Sequence, residues 1–163
     1  MKLFVFIQQD QDHINSVSLG ALRGAQKIAE QSSGNVTAIT YSSKTAEKLT
    51  EYDLHEILVI EDPKLEAYNP LHYIKAMEDV ASSESADILV FGHTYEARDW
   101  VPRLSARLEI PFVSDCVSFK MDSKLIVVRS VYQGKFNSDL SVNSEKYILS
   151  FQSGAFRSDT LQT

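Results

Sequence analysis

The residues best able to do chemistry lie close together, between Gly92 and Arg107. Gly92 follows a short apolar run that predicts a buried strand, and a glycine lets the backbone approach a ligand closely. Thr94 adds a hydroxyl group, and the helix expected to begin near Asp99 presents free amides and a positive dipole end that suit a phosphate. We therefore expect a nucleotide-type loop whose binding residues are Gly92, Thr94, Arg98 and Asp99.

The same segment also supports a purely structural interpretation. Asp99 would cap the helix and Pro102 would help it start, while the arginines would form ion pairs at a surface or an interface. Tryptophan and arginine are over-represented in protein interfaces, so the candidate interface residues are Trp100, Arg103 and Arg107. Because the loop holds a single glycine, the residues alone support a nucleotide-binding loop and a purely structural role equally.

Other catalytic signatures are absent from the sequence. The first strand is not followed by a G-x-G-x-x-G loop, and the chain has neither a G-x-x-x-x-G-K-[ST] nor a G-x-S-x-G motif. The four histidines are scattered, which argues against a zinc site. Cys116 is best explained as a small apolar side chain on a strand, and Asp115 as a carboxylate that needs a partner such as an arginine. We expect no catalytic residue and no metal site.

The composition limits the partners that this chain can have. It has 163 residues with 16 basic and 22 acidic side chains, and therefore a net charge of −6. This acidic balance argues against nucleic acid or an anionic membrane surface as the main partner. One cysteine excludes an internal disulfide framework, and no apolar run approaches the roughly 20 residues of a membrane span. The opening run, Leu3–Ile7, is too short for a signal peptide, so we predict an intracellular protein without membrane insertion.

Alternating strand and helix patterns must position the loop. Short apolar runs typical of strands buried on both faces alternate with segments of helical spacing. The strands are expected at Leu3–Ile7, Val36–Thr40, Glu56–Ile60 and Ile88–Phe91. Ser18 and Pro70 are expected at the start of two helices, and Arg98–Glu109 is expected to form another. This order predicts an α/β fold, a three-layer Rossmann-like parallel sheet with helices on both faces.

The pattern changes after residue 111. Closely spaced strands with short turns predict antiparallel hairpins, at Phe112–Met121, Lys124–Tyr132, Lys135–Val142 and Lys146–Phe151. The last residues, Arg157–Thr163, are mostly polar and are expected to form a frayed tail or the start of a linker. We therefore expect one domain over residues 1–156, in which C-terminal antiparallel strands are added to the parallel sheet, and a tail over residues 157–163.

Several motifs together resemble the electron transfer flavoprotein alpha subunit, in its N-terminal domain. The richest of them runs from Gly92-His93-Thr94 through Arg98-Asp99 to Pro102–Leu108. Collinear stretches elsewhere are similar to the same family, at residues 18–38, Val59–Pro63, Pro111–Cys116, Val131–Lys135 and Gly154–Phe156. The resemblance extends from the first strand to Phe156, which is nearly the whole chain.

This resemblance implies a fold like that of the adenine nucleotide alpha hydrolases and a heterodimer with a beta subunit. The assembly would carry electrons from acyl-CoA dehydrogenases of fatty acid β-oxidation, or other dehydrogenases, to a quinone oxidoreductase or another acceptor. FAD would carry the redox step, held mostly by a second domain that is missing from this chain. The chain would then be a component of an electron carrier and not an enzyme, in a bacterial cytoplasm or in an organelle matrix after removal of a targeting segment.

Two other functions stay open on the sequence. The related beta subunit binds AMP at the loop equivalent to Gly92–Asp99, so the main alternative is a free-standing adenine-nucleotide-binding or regulatory domain without flavin. An enzyme of the adenine-nucleotide hydrolase type is less favoured, because the sequence lacks a Gly-rich phosphate loop and a catalytic cluster near the first strand.

Overall fold

The computed structural model describes residues 1–11 and 13–163. Within them the strands are β1 (Lys2–Phe6), β2 (Gln9–Asp10), β3 (His13–Ile14), β4 (Asn35–Thr40), β5 (Glu56–Val59), β6 (Ile88–Gly92), β7 (Phe112–Met121), β8 (Leu125–Val131), β9 (Phe136–Ser141) and β10 (Tyr147–Phe151). The α-helices are α1 (Ser16–Ser32), α2 (Ser43–Leu49), α3 (Pro70–Glu84) and α4 (Tyr95–Leu108), and short 3-10 helices lie at Pro63–Leu65 and Ser158–Thr160.

One eight-stranded sheet organises the molecule, in the order β5-β4-β1-β6-β10-β7-β8-β9. The strands from β5 to β7 in this order run parallel, and β8 and β9 add antiparallel pairs at one edge. Parallel strands joined through helices require cover on both faces of the sheet. The predicted three-layer α/β fold with added antiparallel strands is therefore confirmed.

The position of β10 corrects the expectation that all the C-terminal strands form antiparallel hairpins. β10 lies inside the sheet and pairs in parallel with β6 on one side and β7 on the other. All five of its residues are buried, as expected for a strand covered on both faces. β7 is long enough to pair with β10 along its first half and with β8 along its second half, which accommodates the insertion.

Alternate residues of β1 supply the two cores on opposite faces of the sheet. Leu3 and Val5 pack with α1 and with the end of α2, whereas Phe4 and Phe6 pack with α3 and α4. Successive side chains of a strand point to opposite faces, so one apolar run serves both layers. Trp100 of α4 is 1% exposed and stacks edge-on against Phe6 at a ring-centroid distance of 5.2 Å.

The observed start of α3 agrees with the sequence-based prediction, whereas the observed start of α1 differs from it. Pro70 begins α3 as expected, after Asn69, whose side chain accepts a hydrogen bond from the amide of residue 71. α1 begins at Ser16 and is capped by Asn15, not by Ser18. Ser18 is buried, and its hydroxyl accepts a hydrogen bond from the Gln8 amide. The serine therefore ties the helix to the end of β1 instead of capping it.

Two glycines of α1 form a notch for the segment that follows β10. A Cβ atom on Gly24 would lie 2.8 Å from the Phe156 ring, and one on Gly20 would lie 2.9 Å from the Phe156 carbonyl oxygen. Phe156 also stacks edge-on against Phe151 at a centroid distance of 4.9 Å. The small residues on α1 thus let the Gly-Ala-Phe segment lie directly against the helix.

The residues after Phe156 form hydrogen bonds with the domain, in the segment Arg157–Thr163 where the sequence predicts a tail or the start of a linker. The division into a domain over residues 1–156 and a tail over residues 157–163 stays a prediction. The Gln26 side-chain amide donates to the carbonyl oxygens of Asp53 and Gln162, and its oxygen accepts from the Gln162 amide. The Asp53 amide donates to the Gln162 carbonyl oxygen at 2.8 Å. The nearly fully buried Gln26 therefore holds residue 162 against α1 through hydrogen bonds. None of the helices in the described ranges has the length and apolar character needed to cross a membrane.

Candidate functional site

The loop Gly92–Thr94 joins β6 to α4 at the carboxyl end of the sheet, where α/β proteins commonly bind ligands. A Cβ atom on Gly92 would lie 2.9 Å from the Val17 carbonyl carbon and 3.0 Å from the Ser18 nitrogen. Glycine is therefore needed here because the first turn of α1 crosses the strand end. The close approach that the sequence assigned to a ligand is made by the protein's own backbone.

Thr94 is the N-cap of α4, which corrects the prediction that Asp99 caps a helix beginning near residue 99. Its hydroxyl oxygen accepts from the Ala97 amide at 3.0 Å and donates to the Gln8 side-chain oxygen at 2.6 Å. The helix begins at Tyr95, so Pro102 lies inside it and not at its start. The Thr94 hydroxyl thus stabilises the helix and links it to the end of β1.

A histidine network, defined by His93, Arg98, Asp115 and Ser150, lies on one flank of this helix start. His93 Nδ1 lies 2.9 Å from the Ser150 Oγ atom, and Arg98 Nε donates to His93 Nε2 at 3.1 Å. An accepting Nε2 requires the neutral imidazole with its proton on Nδ1. Burial lowers the pKa of His93, Arg98 and Arg129 lower it further, and the Asp115 charge opposes them. These contacts favour the neutral ring.

Asp115 takes part in this network through a distorted backbone. Its φ angle is +59°, and the pairing of β7 with β10 shifts register next to it. Its amide donates to Ser150 Oγ at 3.1 Å, and its carboxylate lies 3.9 Å from His93 Nε2. Among the described residues, the side chain that donates to this carboxylate is Gln152, through its amide at 3.5 Å, and not the expected arginine. The bulge also turns Cys116 into the core, where burial raises the pKa of its thiol to about 12, as expected for an inert structural cysteine.

An acidic pocket lies on the other flank of the same helix start. Its cavity of about 640 Å³ is lined by the carboxylates of Asp10, Glu66 and Glu96, by Tyr41, Tyr68 and Tyr73, and by polar residues that include Gln8, Gln9 and Asn15. The described lining contains no lysine or arginine. The helix dipole favours a carboxylate in the first turn, but burial and the Asp10 charge outweigh it and raise the pKa of Glu96.

The four predicted loop residues are neighbours in the sequence, but their contacts are with different parts of the molecule and do not converge on one site. Arg98 contacts His93 and packs its guanidinium 5.1 Å from the Tyr95 ring centroid. Asp99 accepts hydrogen bonds from the Tyr68 hydroxyl and from Arg103, on the side of α3. Gly92 and Thr94 serve the packing and capping described above. The assignment of an adenine nucleotide to these four residues stays a prediction.

The candidate interface residues fall into two groups. Trp100 is enclosed by Phe6, Tyr73 and Phe91, so its interface assignment is corrected: a side chain that is 1% exposed offers no surface to a partner. Arg103 and Arg107 are exposed and form ion pairs within the chain, with Asp99 at 2.7 Å and Glu78 at 2.8 Å. A role for these two arginines in an interface stays a prediction.

Sequence reasoning missed the acidic pocket and the Ser150 hydroxyl. The pocket residues could have been predicted, because ligands commonly bind beyond the carboxyl ends of parallel strands. Residues 8–11 follow β1 and residues 41–42 follow β4 at this same edge of the sheet. Ser150 carried no comparable signal. Its role depends on the insertion of β10 beside β6 and β7, which brings its hydroxyl to His93.

Comparison with known proteins identifies the relatives of this chain. Protein FixB of Clostridium saccharobutylicum is 27% identical over 144 residues, which are 85% of this chain and 43% of that protein. The electron transfer flavoprotein subunit alpha of Syntrophomonas wolfei is 23% identical over 93% of this chain and 48% of its own length. The alpha subunit of Bacillus subtilis is 34% identical over 55% of this chain and 28% of its own length. The chain thus spans less than half the length of these relatives.

The family assignment covers more of the chain than any one of these alignments. The sequence model of the electron transfer flavoprotein domain matches residues 3–162, from the first apolar residue of β1 to the hydrogen-bonded tail. Several of the relatives are named as alpha subunits of this class, in agreement with the resemblance found in the sequence. This chain belongs to the electron transfer flavoprotein domain family and is of the alpha-subunit type.

Proposed function

We propose that this chain is the N-terminal, partner-binding domain of an electron transfer flavoprotein alpha subunit. The observation that carries the proposal is the family match over residues 3–162. In this role the domain scaffolds a heterodimer with a beta subunit. The full assembly carries electrons through FAD from acyl-CoA or other dehydrogenases to a quinone-linked or other acceptor, and no side chain of this domain acts as a catalyst.

The described residues do not fit the pyrophosphate of a flavin at the carboxyl end of the sheet. The acidic pocket there is lined by three carboxylates, with no lysine or arginine among its described lining residues. The Thr94 hydroxyl is used to cap α4 and to bind Gln8. We therefore propose that FAD is held mostly by residues outside this chain, and we assign no redox step to the side chains described here.

The hairpin of β8 and β9 is the surface best suited to a beta subunit. β9 is the last strand of the sheet, so among the described residues no further strand pairs with its outer side, and another chain can pair there. At the tip, Tyr132 and Phe136 are 77% and 64% exposed and stack edge-on at a centroid distance of 6.0 Å. An exposed aromatic pair beside an open sheet edge is typical of a protein contact surface.

Co-elution with a cognate beta subunit tests this proposal. We expect the chain and the beta subunit to co-elute in size-exclusion chromatography, and the double variant Tyr132→Asp/Phe136→Asp to lose the complex. Two buried charges without partners at an interface cost several kcal/mol, which corresponds to an affinity loss of at least about 100-fold. The melting temperature of the isolated variant should stay close to that of the wild type, because both rings are exposed.

A matched control uses Leu71, which is 66% exposed on α3. Leu71→Asp introduces one such charge on another surface, and it should leave the complex intact, whereas Tyr132→Asp alone should already weaken it. Loss of the complex in Leu71→Asp to the same extent would refute the hairpin surface. Failure of the wild-type chain to bind the beta subunit would refute the heterodimer itself.

A further inference from the structure

The acidic pocket has the dimensions of a binding site for a small molecule. Its volume of about 640 Å³ lies within the range of roughly 300–1,000 Å³ found for ligand pockets. It opens beside the first turns of α1 and α4, between the ends of β1 and β4. Nothing in the role of a partner-binding scaffold requires a cavity at this position.

The charges around the cavity select the sign of its ligand. Asp10, Glu66 and Glu96 line it, and within the described part of the chain none of these carboxylates has a hydrogen-bond or ion-pair partner. Glu96 is half-buried, so an unpaired charge there is unfavourable. A bound cation would relieve this cost, whereas a phosphate would add to it.

The aromatic walls favour an organic cation over a metal ion. The Tyr41 and Tyr68 rings lie 5.6 Å and 5.4 Å from the ring of Tyr73, which forms the floor of the pocket. Aromatic faces attract ammonium groups and also pack against methylene chains. Among residues 1–11 and 13–163, no three His, Cys, Asp or Glu side chains converge as a metal site would require. The carboxylates are thus spread around the cavity instead of meeting at one point.

We propose that the acidic pocket binds a small linear polyamine. Its ammonium groups pair with Asp10, Glu66 and Glu96, and its methylene segments lie against Tyr41 and Tyr68. This ligand class satisfies the three separated carboxylates and the aromatic walls together. The site is independent of the proposed beta-subunit surface, which lies on the hairpin of β8 and β9.

Isothermal titration of the full chain with spermidine tests the proposal. We expect saturable one-to-one binding that weakens as the salt concentration rises. Glu96→Gln should weaken binding by at least about tenfold, because it removes a charge-assisted contact while keeping the shape of the side chain. Glu145→Gln makes the same charge change at an exposed residue outside the pocket and should bind spermidine like the wild type.

Substitutions of Tyr68 separate the aromatic contribution from simple charge attraction. Tyr68→Ala should weaken spermidine binding by about threefold or more, and Tyr68→Phe should restore it because the ring face is kept. Magnesium chloride in place of spermidine should bind much more weakly. Equal binding of Mg²⁺ and spermidine would overturn the proposal, since it would show a diffuse attraction of cations.

Three further results would also overturn it. They are the absence of spermidine binding by a folded chain, equal spermidine affinity in Glu96→Gln and Glu145→Gln, and binding of AMP in the pocket. AMP carries the charge that the three carboxylates repel, so its titration should give no heat at millimolar concentration. A melting curve for each variant separates lost binding from lost folding.

Discussion

The two flanks of the α4 start lie at the same edge of the sheet, but their polar side chains differ in whether they have partners. On one flank, the histidine network closes on itself through His93, Arg98 and Ser150. On the other, the acidic pocket leaves three carboxylates without partners among the described residues. Both lie at the carboxyl end of the parallel sheet, where ligands commonly bind. Position in the fold therefore does not decide whether polar groups stabilise the domain or await a ligand.

The difference arises from the elements that surround each flank. The histidine network lies where β10 enters the sheet between β6 and β7, and the strands bring hydrogen-bond partners to one another. The acidic pocket lies between loops that follow β1 and β4, which leave space between them. Buried polar groups that are paired contribute to stability, and unpaired ones cost it. The two flanks should therefore respond in opposite ways to the loss of a polar group.

The largest effect is expected when the core beneath α4 loses its largest side chain. Trp100 lies under the helix start and contacts Tyr73, the floor of the acidic pocket. Trp100→Ala should lower the free energy of unfolding by about 3–5 kcal/mol, because it leaves a large cavity in the core. Chemical denaturation measures this loss. Trp100→Phe should lose markedly less, and an equal loss in the two variants would contradict the packing role.

A smaller loss is expected from the histidine network alone. Ser150 is fully buried, and its oxygen accepts from the Asp115 amide and lies 2.9 Å from His93 Nδ1. Ser150→Ala should lower the free energy of unfolding by about 1–3 kcal/mol, because buried polar groups lose their partner. Urea denaturation tests this. Ser123→Ala, at an exposed residue between β7 and β8, is a control that should leave the stability unchanged. A Ser150→Ala variant as stable as wild type would contradict the comparison.

The smallest effect is expected in the acidic pocket, with the opposite sign. Burial and the Asp10 charge raise the pKa of Glu96, so the folded state binds its proton more tightly than the unfolded state. The contribution of Glu96 to the free energy of unfolding of the wild type is therefore largest at low pH, and it is lost as the pH rises through the raised pKa. Glu96→Gln should therefore gain stability relative to wild type as the pH rises above the ordinary carboxyl pKa of 4.5. The gain should be no more than about 1 kcal/mol, because the site is partly solvated.

Thermal melting across this pH range measures the difference. Glu145→Gln should show no comparable change relative to wild type, since its side chain is exposed. If Glu96→Gln became less stable than the wild type as the pH rises, the ionised Glu96 carboxylate would have a stabilising partner in the folded protein. That result would remove the contrast between the two flanks.

The sequence predicted the sheet well where local patterns are sufficient. The runs at Leu3–Ile7, Val36–Thr40 and Ile88–Phe91 became parallel strands with small changes at their ends. It failed at Lys146–Phe151, where closeness along the chain suggested an antiparallel hairpin. The nearly continuous apolar run of Tyr147–Phe151 was the better signal, since such runs are typical of strands buried on both faces. It also placed the α4 start three to four residues late, at Arg98 or Asp99 instead of Tyr95. Both Thr94 and Asp99 are good caps, and only the path of the chain after β6 chooses between them.

By itself, the sequence determined the fold class, the family and the segment between Gly92 and Arg107 that borders both flanks. These follow from hydrophobic periodicity and from motifs that are continuous along the chain. Only the tertiary structure decided that Gly92 accommodates α1, that Trp100 belongs to the core, and that Glu96 faces an open cavity. The reason is physical: whether a polar group is paired depends on neighbours brought together from distant positions, and local patterns do not encode those contacts.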